Sequence, residues 1–277
     1  MNPTSTVPAT AATLAVLGAH LYYEVRGHGP LVLLVGSPMD ARPFTPLADR
    51  LAADHTVVTM DPRGINRSTV HDPERDSSAP MRAYDLSRLL RHLDAGPATV
   101  LGSSGGAVVA LALTQSHPDL VQTVIAHEPP LVEVLDDRAE LYARSEDAIA
   151  TYLAGDVMAA WRKFLGYAGL AVPDGAVEQM FGGERDPQQV ADEHFWFAHE
   201  QRGTIRWAPD LDMLRSVPTR IVIGIGEQSG GQLCDRTSTA LAAALGIEPT
   251  RFPGGHTGFV EDPDGFTARL RPLLPES

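Results

Sequence analysis

The chain has 277 residues, of which 43% are hydrophobic and 21% are charged, and its formal net charge is −13. These proportions are typical of a soluble globular protein, either one large domain or a core domain with an insertion. The excess of acidic residues argues against a nucleic-acid partner and against an anionic membrane surface. The single cysteine, Cys234, excludes an internal disulfide and a cysteine-built metal site.

The N-terminal residues contain no basic region, and the apolar patch at residues 14–19 is too short for a signal sequence. No stretch approaches the roughly 18–20 apolar residues that are needed to span a bilayer. We therefore expect a cytoplasmic protein that has no membrane partner. The sequence leaves open a homodimer.

Short apolar runs alternate with helical patterns in the first half of the chain, which favours an α/β fold with a mostly parallel sheet. A helix is predicted over residues 44–53, and an amphipathic helix over residues 81–93 is followed later by one that ends near residues 117–118. Strands are predicted at residues 21–25, 31–35, 56–60, 98–101 and 121–126.

The pattern changes between residues 130 and 217, where no comparable β-branched run occurs and several aromatic helices are predicted. Strong strand character returns at residues 220–225. A helix at 238–245, a short strand end at 251–252 and a closing helix at 263–274 follow. We therefore predict a core domain formed by residues 1–129 and 218–277, with residues 130–217 inserted as a helical cap, or lid.

The run at residues 100–107, VLGSSGGA, contains a Gly-x-Ser-x-Gly pattern between a predicted strand and a predicted helix. A serine on so sharp a turn takes a strained conformation, and residues two positions before and after it must be very small. Gly102 and Gly106 meet that need. The following helix points its N-terminus at Ser104, which favours a developing negative charge. Ser104 is therefore the candidate nucleophile.

A serine nucleophile needs a base within hydrogen-bond reach. His256 is the best candidate among ten histidines, because it lies in the glycine-rich segment PGGHTGF just after the last predicted strand. Such a loop is free to project over the ends of the strands. We interpret the other nine histidines as surface or satisfied core residues.

Four ordered motifs resemble those of the α/β-hydrolase superfamily, which includes enzymes with a Ser–His–acid triad. They are VGSP at residues 35–38, DPRGINRS at 61–68, GSSGG at 102–106 and GGH at 254–256. The resemblance covers nearly the whole chain outside the predicted cap. It implies an α/β-hydrolase fold with a twisted sheet flanked by helices, and no metal or organic cofactor.

The chain departs from this family at the acid of the triad. Most members carry an aspartate in the turn after the strand that follows the cap, and Ser229 occupies that place here. The best candidate is Glu128, because catalytic groups collect at the carboxyl ends of the strands. Some branches, among them the zearalenone lactone hydrolases, carry a glutamate at this place. Glu227 and Asp235 are the reserve candidates.

The resemblance also implies an oxyanion hole formed by the backbone N–H groups of Ser37 and Gly105. Residues 61–68 are interpreted as structural, with Asn66 accepting a left-handed conformation where many relatives have glycine. Aromatic residues 195–197 and Trp207 either line a pocket under the cap or pack it onto the core. The other substrate-binding residues are not identifiable from the sequence.

These residues predict a serine hydrolase acting on a small, moderately apolar ester or lactone, with Ser104 as nucleophile, His256 as general base and Glu128 as orienting acid. Hydrolysis of a carbon–carbon, thioester or amide bond by the same triad stays an alternative. A different class of protein, a non-catalytic small-molecule binder on the hydrolase fold, is also open. Such a binder would be expected to lose triad members.

Overall fold

A computed structural model describes residues 7–170, 173 and 175–276. The predicted core and cap also include residues 1–6, 171, 172, 174 and 277, which lie outside the described residues. The strands are β1 (Thr10–Val16), β2 (Ala19–Arg26), β3 (Leu31–Val35), β4 (Thr56–Met60), β5 (Thr69–Val70), β6 (Ala98–Ser103), β7 (Val121–His127), β8 (Arg220–Gly226) and β9 (Thr250–Phe252).

The helices of the described residues alternate with these strands and then fill the long interval between β7 and β8. They are α1 (Thr45–Leu51), α2 (Ala79–Leu93), α3 (Gly105–Ser116), α4 (Arg138–Leu153), α5 (Val157–Ala168), α6 (Ala176–Phe181), α7 (Pro187–Phe195), α8 (Gln201–Ile205), α9 (Leu211–Ser216), α10 (Leu233–Leu245), α11 (Gly258–Glu261) and α12 (Pro263–Leu270). A π-helical turn, Trp196–Glu200, joins α7 to α8.

The strands form one nine-stranded sheet in the order β1-β2-β4-β3-β6-β7-β8-β9, with β5 paired to β2. β1, β2 and β5 pair in antiparallel fashion, whereas β4, β3, β6, β7, β8 and β9 run parallel. All five residues of β3 are buried apolar residues, as expected for a parallel strand covered on both faces. The predicted α/β-hydrolase architecture of a mostly parallel sheet flanked by helices is confirmed.

Two apolar clusters cover the two faces of the sheet. One combines β-strand residues with α2 and α3, through side chains such as Leu86, Leu89 and Val108. The other packs α1, α11 and α12 on the opposite face, through residues such as Leu47 and Phe266. This three-layer arrangement leaves the carboxyl ends of the parallel strands free at one edge of the sheet.

The strand order reverses between β3 and β6. The chain places β4 on one side of β3, and then places β6 and the later strands on the other side. Ligands in open α/β sheets bind in the crevice outside the carboxyl ends of the strands at such a switch point. Ser37 follows β3 and Ser104 follows β6 directly, so both candidate residues lie at this crevice.

Candidate active site

Ser104 lies on the turn between β6 and α3, with φ of 56° and ψ of −128°. This left-handed conformation is unfavourable for a residue with a side chain, and such strain is concentrated at functional sites. The Ser104 N–H donates to the carbonyl oxygen of His127 at 2.9 Å, which fixes the turn to β7. The sequence predicted both the turn and its strain.

The glycines around this turn are required by close backbone contacts. A Cβ atom on Gly102 would lie 2.4 Å from the carbonyl oxygen of Gly106, and one on Gly106 would lie 2.2 Å from that of Val35. The prediction that positions two before and two after Ser104 must be very small is therefore confirmed.

His256 and Glu128 are joined by a hydrogen bond of 2.5 Å between His256 Nδ1 and Glu128 Oε2. Glu128 follows β7 with φ of 54°, and its side chain is fully buried. Its Oε1 accepts a hydrogen bond of 2.7 Å from the Gly226 N–H at the end of β8. The parallel strands thus bring together a carboxylate and an imidazole that are 128 residues apart in the chain.

The other acid candidates are engaged elsewhere or exposed. The Asp235 carboxylate accepts from the Gly231 N–H at 2.9 Å and pairs with Arg251 at 3.3 Å. Glu227 is exposed. Ser229, at the usual aspartate position, is fully buried. Of the candidates that the sequence offered, Glu128 is the one hydrogen-bonded to His256.

Burial alone would raise the pKa of the Glu128 carboxyl, but the hydrogen bond and charge of His256 outweigh burial and lower that pKa to about 2. Burial would likewise lower the pKa of His256, whereas the adjacent Cys234 and Glu128 raise it above its ordinary value. Glu128 therefore stays ionised at neutral pH and stabilises the imidazolium form of His256.

The backbone N–H groups of Ser37 and Gly105 lie at the same crevice. Gly105 is the first residue of α3, so its N–H has no acceptor within the helix. The Ser37 N–H has no acceptor in the part of the chain that the structure describes. Ser37 and Gly105 are in close contact, because a Cβ atom on Gly105 would lie only 2.7 Å from the Ser37 carbonyl oxygen.

Cys234, in the first turn of α10, is a neighbour that the sequence analysis did not place at the site. Its Sγ and ligand atoms of Glu128 and His256 lie within 4.8 Å of one another. Sulfur, nitrogen and oxygen donors together suit a zinc-like ion.

A cavity of about 820 Å³, including its open mouth, extends from Ser104 and His256 towards the inserted helices. Of the aromatic residues singled out in the sequence, Trp196 lines this cavity. The other three pack elsewhere: Phe195 contacts Gly64, Phe197 stacks on Tyr152, and Trp207 packs against the core. The remaining aromatic lining comes from α5, which contributes Trp161, Phe164 and Tyr167.

A buried ionic cluster lies behind the Ser37 loop. Arg82 of α2 donates to Glu200 Oε1 at 2.9 Å, and their side chains are 4% and 0% exposed. The Ser37 hydroxyl donates to Glu200 and accepts from Arg82. Arg82 also donates to Thr204 Oγ1 at 2.6 Å. The cluster thus connects the Ser37 loop to the π-helical turn and α8.

Residues 61–68 tie neighbouring loops together, in line with their structural interpretation. The buried Asp61 carboxylate accepts from the Ala41 N–H at 3.0 Å and from Arg67 Nε at 2.7 Å. Asn66 has φ of 51°, so its predicted left-handed conformation is confirmed.

Sequence comparisons show the family of the chain. Residues 29–165 match the family model described as the alpha/beta hydrolase fold. An uncharacterized hydrolase, YraK, from Bacillus subtilis (strain 168) is 32% identical over 269 residues, which cover 95% of each chain. The chain belongs to the α/β-hydrolase family. It is accordingly a hydrolase.

A further relative and one solved structure have more specific descriptions. The zearalenone hydrolase of Bionectria ochroleuca is 28% identical over 264 residues, covering 90% of this chain and 91% of the relative. The solved structure of Est816, described as an N-acyl homoserine lactone degrading enzyme, superposes with a TM-score of 0.72 at 20% identity, covering 95% of this chain and all of that one. At that identity the superposition bears on the fold alone.

No helix among the described residues has the length and apolar content to cross a membrane.

Proposed function

We propose that this α/β hydrolase cleaves a carboxylic ester or lactone of a small, moderately apolar substrate through an acyl-enzyme on Ser104. His256 is the general base in this proposal, Glu128 the orienting acid, and the Ser37 and Gly105 N–H groups form the oxyanion hole. Residues 130–217 act as the helical cap over a core formed by residues 1–129 and 218–277.

The observation that carries the proposal is that the strained Ser104 and the hydrogen-bonded His256 open into one apolar cavity. Ser104 and His256 both line it, together with Ser37 and Gly105. Ser104, His256 and the two candidate oxyanion donors thus line one cavity, and Glu128 is hydrogen-bonded to His256, which supports this assignment of roles.

In the acylation step, Ser104 Oγ attacks the substrate carbonyl carbon while its proton passes to the free ring nitrogen of His256. The second ring nitrogen, Nδ1, keeps its proton and donates a hydrogen bond to the Glu128 carboxylate, which stabilises the imidazolium. The carbonyl oxygen becomes negative and accepts hydrogen bonds from the Ser37 and Gly105 N–H groups. Collapse breaks the carbon–oxygen bond, and His256 protonates the departing alkoxide.

In deacylation, His256 takes a proton from a water molecule that attacks the acyl carbon, and the acid leaves as Ser104 recovers its proton. With a lactone, the alcohol stays attached to the acyl group, so the ring opens in the first step. The buried, ionised Glu128 supports both steps by holding one tautomer of His256.

The cavity lining supports a substrate with a neutral, apolar body. Most of the lining residues are aromatic or aliphatic, and the ionisable ones among those described are His256, Cys234 and Tyr167. The 28% identical relative is a zearalenone hydrolase, which supports a lactone among the candidate substrates.

Covalent labelling tests this function. A fluorophosphonate is expected to add once per chain, and peptide mass spectrometry is expected to find the adduct on Ser104. A panel of matched aryl esters, lactones and amides should show turnover of the oxygen esters. An adduct on another residue, or turnover of amides alone, would contradict the proposal.

Replacing Glu128 with glutamine is expected to reduce kcat by a factor on the order of 10²–10⁴, because the amide cannot stabilise the imidazolium. It should also move the acidic limb of the kcat/KM profile to lower pH. Cys234 and Glu128 both raise the pKa of His256, and activity requires the neutral imidazole. Losing the carboxylate therefore lets His256 lose its proton at a lower pH. Steady-state rates across the pH range measure both effects.

The matched controls are Glu227→Gln and Asp235→Asn, which remove acidic side chains close to the same loops. Neither carboxylate is hydrogen-bonded to His256 among the contacts described. Both variants should keep the wild-type rate and pH profile. If Asp235→Asn shifts the acidic limb and Glu128→Gln does not, the acid is Asp235.

A further inference from the structure

The oxyanion loop, residues 36–41 after β3, carries the Ser37 N–H that is one of the two proposed oxyanion donors. Residues 37–40 make no hydrogen bond through their backbone groups in the part of the chain that the structure describes. The backbone is bonded again at Ala41, whose N–H donates to Asp61 at 3.0 Å. Backbone hydrogen bonds therefore do not fix the direction of the Ser37 N–H.

The Ser37 side chain supplies an anchor instead. Its hydroxyl donates to Glu200 and accepts from Arg82, and Arg82 and Glu200 are paired with each other at 2.9 Å. Ser37, Arg82 and Glu200 are only 3%, 3% and 1% exposed, so water does not compete for these bonds. Hydrogen bonds to charged groups are roughly twice as strong as bonds between neutral ones. The hydroxyl is thus held from both sides.

The two anchoring groups come from different parts of the fold. Arg82 belongs to α2, which packs on the sheet, whereas Glu200 ends the π-helical turn among the inserted helices. Neither side chain is among the residues that line the large cavity beside Ser104. An effect of Arg82 or Glu200 on the reaction would therefore pass through Ser37.

We propose that Arg82 and Glu200 are positioning residues, which hold the Ser37 N–H in the direction that the oxyanion requires. An oxyanion hole is effective because its donors are oriented before the negative charge develops. Glu200 makes the inserted helices part of that orientation, so that the oxyanion hole is complete only when they are in place. This inference rests on the proposed function.

Ser37→Ala tests the anchor, because it keeps both backbone donors and removes the hydroxyl. Arg82 and Glu200 stay paired with each other in this variant. We expect kcat for phenyl acetate to fall at least about tenfold with little change in KM, because a displaced donor weakens an interaction made in the transition state. A wild-type kcat would overturn the proposal.

Exchanging the carbonyl oxygen of the substrate for sulfur reports on the oxyanion hole itself. Sulfur accepts hydrogen bonds more weakly and lies further from the carbon, so oriented donors favour the oxygen ester. The wild-type preference in kcat/KM for phenyl acetate over phenyl thionoacetate should therefore shrink in Ser37→Ala. An unchanged preference would contradict a role in the oxyanion hole.

Variants of Arg82 and Glu200 separate positioning from stability. Glu200→Leu should lower both kcat and the stability of the fold. Adding Arg82→Met should recover stability, because apolar side chains then replace both charges, but kcat should stay low because the Ser37 hydroxyl has no partner. Glu200→Gln keeps an acceptor for the hydroxyl and should recover most of the rate. If kcat returns together with stability in the double variant, the role is structural only.

Asp85→Leu is the matched control. Asp85 forms a second buried pair with Arg63 at 2.6 Å, and that pair makes no hydrogen bond to Ser37 in the described part of the chain. This variant should lose stability and keep a kcat close to wild type. A loss of kcat equal to that of Glu200→Leu would overturn the proposal, since any buried pair would then have the same effect.

The mobility of the Ser37 amide separates this proposal from the proposed chemistry. The chain contains two Gly–Ser dipeptides, at residues 36–37 and 102–103, so ¹⁵N-serine with carbonyl-¹³C glycine isolates the amides of Ser37 and Ser103 in NMR spectra. Glu200→Leu should lower the order parameter of Ser37 and leave that of Ser103 unchanged, whereas Glu200→Gln should lower neither. An unchanged Ser37 amide overturns the proposal.

The two readouts fail independently. If esters are not hydrolysed but the Ser37 amide becomes mobile in Glu200→Leu, only the ester chemistry fails and the positioning role stands. If esters are hydrolysed through Ser104 and Ser37→Ala keeps the wild-type kcat, only the positioning proposal fails.

Discussion

Replacing Ser104 with alanine is expected to lower kcat for an ester at least about a thousandfold, because the residual rate would depend on the oxyanion hole and binding alone. KM should change little, since the alanine side chain fits the same turn and the cavity wall is unchanged. Stopped assays with a chromogenic ester, together with loss of fluorophosphonate labelling, measure the effect. Turnover within tenfold of wild type would remove Ser104 from the mechanism.

Ser103→Ala is the matched control, because it removes the neighbouring hydroxyl. Ser103 is fully buried, and its Oγ has no hydrogen-bond partner in the described part of the chain. Its replacement should leave kcat close to wild type. A stability measurement on both variants separates a chemical loss from unfolding. Neither variant relieves the left-handed φ of 56° at position 104, so neither should become markedly more stable.

The buried cluster behind the oxyanion loop gives the second large effect. Glu200→Leu is expected to lower the free energy of unfolding by about 3–5 kcal/mol, because it leaves the Arg82 guanidinium buried without its carboxylate partner. Arg82→Met should cost a similar amount. Combining the two should recover much of that loss, because apolar side chains then replace both charges. Chemical denaturation of the three variants measures the coupling.

Glu146→Gln is the comparison that shows what burial contributes. Glu146 pairs with Arg202 at 2.9 Å, but both side chains are 37% exposed. Exposed pairs of this kind contribute about 0–1 kcal/mol. An equal loss of stability in Glu146→Gln and Glu200→Leu would mean that the burial of Arg82 does not increase the cost of removing its partner. Additive effects in the double variant would mean that Arg82 and Glu200 are not coupled.

The sequence predicted the central parallel strands well because their side chains are buried on both faces. β3 and β4 begin and end at the predicted residues. β1 was not predicted, since it lies at the edge of the sheet and its residues are exposed or half-buried. α10 begins at Leu233, five residues before the predicted start, because its first turn carries Asp235 and Arg236 and lacks an apolar stripe.

The residues of the site also differ in how far the sequence predicts them. Ser104 and His256 follow strands that can be recognised locally, and the departure at Ser229 directed attention to Glu128. The cluster of Arg82 and Glu200 could not be predicted, because the residues are 118 positions apart and polar residues on helices are ordinarily solvated. From the sequence, Cys234 served only to exclude a disulfide and a cysteine-built metal site. Its position beside His256 could not be predicted, because it depends on how α10 packs.

The π-helical turn at Trp196–Glu200 marks a place where this helix can lose a residue. A π-helical turn holds one residue more than the α-helical ladder needs, so deleting one residue there would restore the α-helix and leave the later side chains in their present orientation. Trp196 at the start of the turn lines the cavity, and Glu200 at its end pairs with Arg82. A deletion among residues 197–199 would therefore shorten the turn without removing either contact residue. In this stretch, divergence is open to a change in length as well as to side-chain replacement.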